Sequence, residues 1–170
     1  MKTVRDISAP IRPVGDPMGQ NLGPGAWADR ADVPDLTYHG EPKIVPMSVA
    51  AGFSIATEDA DPRGMVVIGC DGKSGGTVAE VWVDKSEPQI RYLEVETAGT
   101  HRRVLLPIGF AKIRAREGAV HVKAIAGHHF ERVPATRETA TITLREEDQI
   151  AGFYGGGFLW AEAGRDEPLA

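Results

Sequence analysis

The sequence predicts a mainly β protein: a small, curled antiparallel sheet or barrel, preceded by an extended Pro/Gly-rich arm and followed by a short C-terminal helix. Three observations carry this. Short apolar runs recur between residues 63 and 125, separated by Gly-containing turns. Gln89 to Thr97 alternates with a period of two, Leu93 and Val95 on one face and Tyr92, Glu94 and Glu96 on the other, which marks a sheet with one wet side. Prolines at 10, 13, 17, 24, 34, 42 and 46 rule out long helices and central strands near the start.

The arm, residues 1–62, still carries Ile11, Val14, Leu22, Trp27, Val33, Leu36, Ile44, Val45, Met47, Phe53 and Ile55. A disordered tail has little use for so many apolar groups, so the arm is expected to lie along its own domain or along a partner. Ser48 to Phe53 is expected to form one helical turn. The barrel, residues 63–145, is read as six strands. Met65–Gly69 is the first, and Asp71-Gly72 is a hairpin signal because it reaches positive φ cheaply. Thr77–Asp84 and Gln89–Thr97 form a hairpin. Arg102–Pro107, Phe110–Arg114 and Val120–Ile125 complete the set, and closing such a sheet would hide its edges. His128–Val133 reads as a helical turn stopped by Pro134. In the last part, residues 146–170, Thr143-Leu-Arg-Glu146 forms a capping box for a helix whose first turn holds Glu146, Glu147 and Asp148. Gly155-Gly-Gly157 is expected to end it.

Composition narrows the function. The 170 residues have a formal net charge of -5, with 6% aromatics, which disfavours a nucleic-acid partner. The single cysteine, Cys70, allows no internal disulfide and reads as a small buried filler. No segment approaches the ~20 apolar residues of a membrane span. Gly72 to Gly76 lacks the spacing of a phosphate loop and runs into a strand. His128 and His129 are adjacent, so their rings are expected on different sides, and no histidine pair has metal-site spacing. Arg102, Arg103, Lys112, Arg114 and Arg116 are expected to gather in one sheet region, either as a solvated face or as a patch for an acidic surface or anionic lipid headgroups. No convergent catalytic site is visible.

Two ionisable groupings remain. Asp84, Glu87 and Arg91 crowd one hairpin connection, and His39, Glu41 and Lys43 lie close together in the arm. Taken alone, the first is a salt-bridged hairpin end of little energetic weight if exposed, and the second a polar loop.

A further set of motifs changes their reading. Gly23-Pro-Gly-Ala-Trp-Ala-Asp-Arg30, Val33-Pro-Asp-Leu36, Pro42-Lys-Ile-Val-Pro-Met47, Gly69-Cys-Asp-Gly72, Trp82-Val-Asp84, Arg91-Tyr-Leu-Glu-Val-Glu96, Leu105-Leu-Pro107 and Ile142-Thr-Leu-Arg-Glu-Glu-Asp148 with Gly155-Gly156 occur in order. Over nearly its whole length the chain resembles the cytoplasmic part of the H subunit of the purple-bacterial photosynthetic reaction centre. The resemblance implies an arm followed by a PRC-type β-barrel that caps the L and M subunits. It implies a non-catalytic subunit that stabilises the complex and helps deliver protons to the secondary quinone. It implies no cofactor on this chain; bacteriochlorophyll, bacteriopheophytin, quinones and iron belong to partner subunits. It also admits light-harvesting ring proteins as neighbours.

Family members usually begin with a periplasmic stub and one transmembrane helix, absent from this sequence. Either the anchor was trimmed, or the gene product is truncated, or a separate polypeptide supplies it; the start at Met1 favours a separate anchor polypeptide or none, with the chain expected peripherally at the cytoplasmic face of the photosynthetic inner membrane. The resemblance places the family's proton-relay positions on Glu87, Asp84 and Arg91. At the proton entry, where the family often has His-Gly-His, this chain has His39-Gly-Glu41, with Thr37 in place of an aspartate; Lys43 stands beside them as support. Quinol formation takes up two protons in a buried site, which requires groups whose pKa values approach working pH. The runner-up is a free-standing PRC-barrel interaction or assembly factor, against which the long arm argues.

Overall fold

The computed structural model describes residues 15–165. It contains seven strands: β1 (Ile44–Pro46), β2 (Val66–Ile68), β3 (Ser74–Asp84), β4 (Gln89–Thr97), β5 (Arg103–Pro107), β6 (Lys112–Arg114) and β7 (Ala119–His121). One α-helix, α1 (Leu144–Trp160), follows. The predicted class, mainly β with a C-terminal helix, is the observed one.

The hydrogen-bonded order is β5-β4-β3-β2-β7-β6. β3 is long enough to serve three partners. One edge pairs with β4 from Gly76↔Thr97 to Asp84↔Gln89. The other edge pairs with β2 near Ser74 and with β1 near Asp84. β1 comes from the arm, at Ile44-Val-Pro46, where the prolines argued against a strand. It is short and ends at Pro46, so the missing donor costs no central ladder bond.

Two expectations about the sheet need correction. It is not wholly antiparallel, because β2 and β7 run parallel, Val67 opposite Val120. Nor does it close: β5 and β6 stand at opposite ends of the pairing path. Between them Pro107 leads into a 3-10 turn, Ile108–Phe110, in place of a hairpin. Phe110 stacks on Tyr154 at 5.5 Å and meets Phe158 at 6.0 Å, so the β5–β6 connection packs on α1 instead of zipping the edges.

Several boundaries shift. β3 begins at Ser74, three residues early, because Gly75 and Gly76 let the backbone run where a side chain would collide with the Phe130 ring and the Glu96 carbonyl. β7 stops at His121 and β6 starts at Lys112, both shorter than expected. The arm's turn is a 3-10 turn at Met47–Val49, and the turn before Pro134 spans Gly127–Arg132.

The capping box is present: Thr143 Oγ1 accepts from Glu146 N at 3.1 Å, and Glu146 Oε2 accepts from Thr143 N at 2.9 Å. The helix does not end at Gly155; it runs through all three glycines to Trp160. These glycines are a contact face. A Cβ on Gly152 would lie 2.8 Å from the Gly25 carbonyl, and one on Gly157 would run into the Ala124 carbonyl. Close approach of the arm and of the segment after β7 offsets the low helix propensity of glycine, about 1 kcal/mol each.

The arm is tied to the helix start by Arg145–Asp29 at 2.9 Å, Arg30–Asp148 at 3.4 Å and Thr143 Oγ1 donating to Asp32 at 2.9 Å. The core gathers Trp82, Leu93, Leu106, Val120, Ile125, Phe130, Ile150 and Tyr154. α1 covers part of the side of β4 expected to be wet: Tyr92 is buried, while Glu94 accepts from Trp82 Nε1 at 2.9 Å. Cys70 is half-buried, with burial pushing its thiol up.

The expected basic patch is divided. Arg102 donates to the carbonyls of Glu131 and Val133, and Arg103 pairs with Glu94 and Glu96 at one end of the sheet. Lys112 and Arg114 lie on β6 at the other end.

Candidate functional site

Asp84 closes β3 with both its neighbours occupied, Ile44 on one side and Gln89 on the other. A bulge between Trp82 and Val83 breaks the inside–outside alternation, and Val81, Trp82, Val83 and Asp84 are all buried. The Asp84 side chain is 1% exposed. A carboxylate buried that far needs full hydrogen bonding. Its Oδ1 accepts from the backbone N–H groups of Ser86 at 2.8 Å and Glu87 at 3.1 Å, an Asx turn that shapes the hairpin end. Its Oδ2 accepts from Arg91 Nη1 at 3.2 Å and lies 3.7 Å from Lys43 Nζ.

Three segments therefore meet at one carboxylate. Lys43 comes from the arm, fixed by Lys85 N donating to its carbonyl and by its own N–H on Asp35 O, both at 2.9 Å. Arg91 comes from β4. Its Nη2 reaches on to Glu147 Oε1 at 3.4 Å, and Tyr92 Oη donates to the same oxygen at 2.9 Å. Burial pushes the Glu147 carboxyl up, against the Tyr92 hydrogen bond and the Arg91 charge, which pull it down. Burial and the Glu147 charge push the Tyr92 phenol upward in turn.

Of the six candidate residues, Asp84, Arg91 and Lys43 are brought together directly. Glu41 joins through Lys85, whose Nζ lies 2.8 Å from Glu41 Oε2 and holds that carboxyl below its usual range. His39 lies in the tip of the arm's own turn, closed by Thr37 N on Glu41 O at 2.8 Å and by Gly40 at φ 79. It is exposed, edge-on to Tyr38 at 5.6 Å. Glu87 stands apart. Its backbone belongs to the Asx turn, but its carboxylate is exposed and, among the described residues, bonded to Gln89 Nε2 alone, at 3.4 Å. Beside it, Pro88, Gln89 and Ile90 help line an open apolar groove of about 580 Å³ with Phe53, Ile55 and Ile113.

Sequence reasoning missed Glu147, Tyr92 and Lys85. Glu147 reads as a helix-dipole partner, and only the docking of α1 on β4 reveals its contact with Arg91. The histidine reading also needs correction. The rings of His128 and His129, tilted by 46°, lie 4.0 Å apart within the 3-10 turn, so they are not held on separate sides. His129 Nδ1 accepts from Ala126 N at 3.1 Å, and burial lowers its pKa to about 4. Among the described residues no cluster of three or more metal-ligating side chains occurs. Nor is any helix there long and apolar enough to cross a membrane.

The sheet and the arm laced to it define the class. Residues 56–129 match the PRC-barrel domain, so the chain is a PRC-barrel protein carrying an N-terminal extension. That extension is itself diagnostic: residues 1–49 match the photosynthetic reaction centre H-chain N-terminal region. The chain belongs to the photosynthetic reaction-centre H-chain family. That family supplies a structural subunit of the reaction centre, which associates with the other subunits.

Proposed function

We propose that this chain caps the L and M subunits on the cytoplasmic, quinone side of a type II reaction centre, stabilises the complex and assists proton delivery to the secondary quinone. The observation that carries the reading is the convergence of the arm and both sides of the hairpin on the buried Asp84 carboxylate, with Arg91 reaching on to Glu147 of the helix and with titratable groups exposed nearby. His39 and Glu41 lie toward the arm tip, where both side chains are open to solvent. Lys43, Asp84 and Arg91 form the middle, with the Asp84 carboxylate buried and the two cations half-buried over it. Glu87 is the exit group at the hairpin end. A relay there requires a partner surface over Glu87, and the apolar groove beside it offers that surface a seat. Glu147, half-buried and with its pKa raised by burial, joins the set as a second carboxyl. The exposed apolar residues Val33, Leu36 and Tyr38 give the arm a further face for docking.

In this reading the chain performs no redox chemistry. Pigments, quinones and iron sit in the partner subunits. A tagged chain expressed in a phototrophic host tests it: the reading expects bacteriochlorophyll-bearing L and M subunits to co-purify in stoichiometric amount. Recovery without pigment contradicts it. The arm has work within its own fold, on α1 and β3, so its length alone does not exclude a free-standing PRC-barrel assembly factor. Pigment-free recovery would favour that second reading.

A further inference from the structure

A second large cleft shares no lining residue with the groove beside Glu87. It measures about 670 Å³ and runs between β6, β7 and the end of α1. Its apolar wall includes Ile68, Phe110, Val122 and Phe158, and Phe158 is 49% exposed.

The rim is basic. Lys112 and Arg114 are two residues apart on β6 and share one face, while Ile113 opposes Val120 on the other. His121 faces Lys112 directly across the ladder, and Lys123 follows it. Lys112, Arg114 and Lys123 are exposed, and among the described residues none of them pairs with a carboxylate. By contrast Arg30, Arg91, Arg103, Arg137 and Arg145 all do. The acidic groups near the cleft are engaged: Glu117 on His121 at 2.8 Å, Asp71 on the backbone N–H groups of Gly127 and Lys73, and Glu162 on Arg165. Unpaired cations beside an open apolar wall, in a chain of net charge -5, form a local field of the opposite sign to the whole.

We propose that this cleft binds an anionic phospholipid, with the phosphate on Lys112, Arg114 and Lys123 and acyl carbon against Phe110 and Phe158. Charge complementarity selects the headgroup, and the wall selects an amphiphile over a free anion. An acidic peptide strand would need to add to the outer edge of β6. That edge is three residues long and carries Lys and Arg, the residues that block strand addition. The proposal does not depend on the Asp84 network.

The test is co-sedimentation of the full chain with vesicles of phosphatidylcholine, with and without one quarter phosphatidylglycerol, at fixed moderate salt. The chain should bind the mixed vesicles and not the neutral ones. The Lys112→Gln/Arg114→Gln/Lys123→Gln variant should lose on the order of 100-fold in affinity, three surface cations acting together. Phe158→Ser should also weaken binding, which charge attraction alone would not cause. Each variant is checked for an unchanged unfolding curve; if the triple variant misfolds, the single Lys112→Gln and Arg114→Gln changes are read instead. Failure of the wild-type chain to bind the mixed vesicles overturns the proposal, as does equal binding by the folded triple variant or undiminished binding by the folded Phe158→Ser variant. Amide shifts along β6 with an acidic peptide but not with lipid would reassign the cleft to a protein strand.

Discussion

The guanidinium of Arg91 holds the buried carboxylate of Asp84 at 3.2 Å and, through its second terminal nitrogen, touches Glu147 of the helix at 3.4 Å. One side chain thus joins the hairpin end to α1. Removing it leaves Asp84 with two backbone donors and the more distant Lys43 ammonium. Arg91→Ala should destabilise the fold by about 2 kcal/mol, within the range of a charged hydrogen bond and below that of a fully buried pair, since Arg91 is half-buried. Arg91→Lys should recover only part, because a point charge cannot reach both carboxylates in the geometry of the fork. Urea unfolding midpoints measure this.

Glu147 predicts a dependence on pH. Its folded pKa is raised above 4.5, with burial the largest cause. The folded state therefore holds this proton more tightly than the unfolded chain. The associated stability is complete below pH 4.5 and is lost as pH rises through the raised value. Glu147→Gln should remove that loss, so the variant should gain on the wild type between pH 4.5 and 8. Melting temperatures across that range check it; a constant difference would contradict it.

Glu131 predicts the opposite slope. It accepts from the backbone N–H of Gly99 at 2.7 Å, that of Thr100 at 3.2 Å, and the hydroxyls of Thr97 and Thr100, which hold its pKa down at about 2. Its stabilising effect is present above pH 4.5 and disappears as pH falls toward 2. Glu131→Gln should be destabilising at pH 6 and close to neutral at pH 2, read by denaturant midpoints at both.

Gly157 tests the packing of α1. In a free helix Gly→Ala would stabilise by about 1 kcal/mol. Here the new methyl group meets the Ala124 carbonyl and the Ile125 side chain. Gly157→Ala should instead lower stability by about 2 kcal/mol, the cost of overpacking a tight site. A raised melting temperature would show that the helix does not sit where described.

These cases also mark what the sequence discloses. The β3–β4 hairpin is legible because period-two alternation and a local turn involve neighbouring residues only. The helix start at Thr143 is legible for the same reason. The helix end is not, because Gly155-Gly-Gly157 reads as a breaker until Gly25 and Ala124 are seen against neighbouring glycines of the run. β1 is hidden by its prolines, and the parallel β2–β7 pair by the separation of its strands along the chain. In the candidate site, Asp84 and Arg91 stand seven residues apart and could be grouped at sight. Glu147 is 56 residues from Arg91, and no local pattern joins them. The open sheet was equally hidden, since closure depends on where α1 docks.

The central claim is that this chain helps carry protons to a quinone held by its partners. The most direct measurement is the pair of electron-transfer rates to the secondary quinone in assembled reaction centres carrying Glu87→Gln. The account predicts a near-normal first transfer and a slowed second, proton-coupled transfer, with Asp84→Asn behaving in the same direction. An unchanged second transfer in both variants would contradict it.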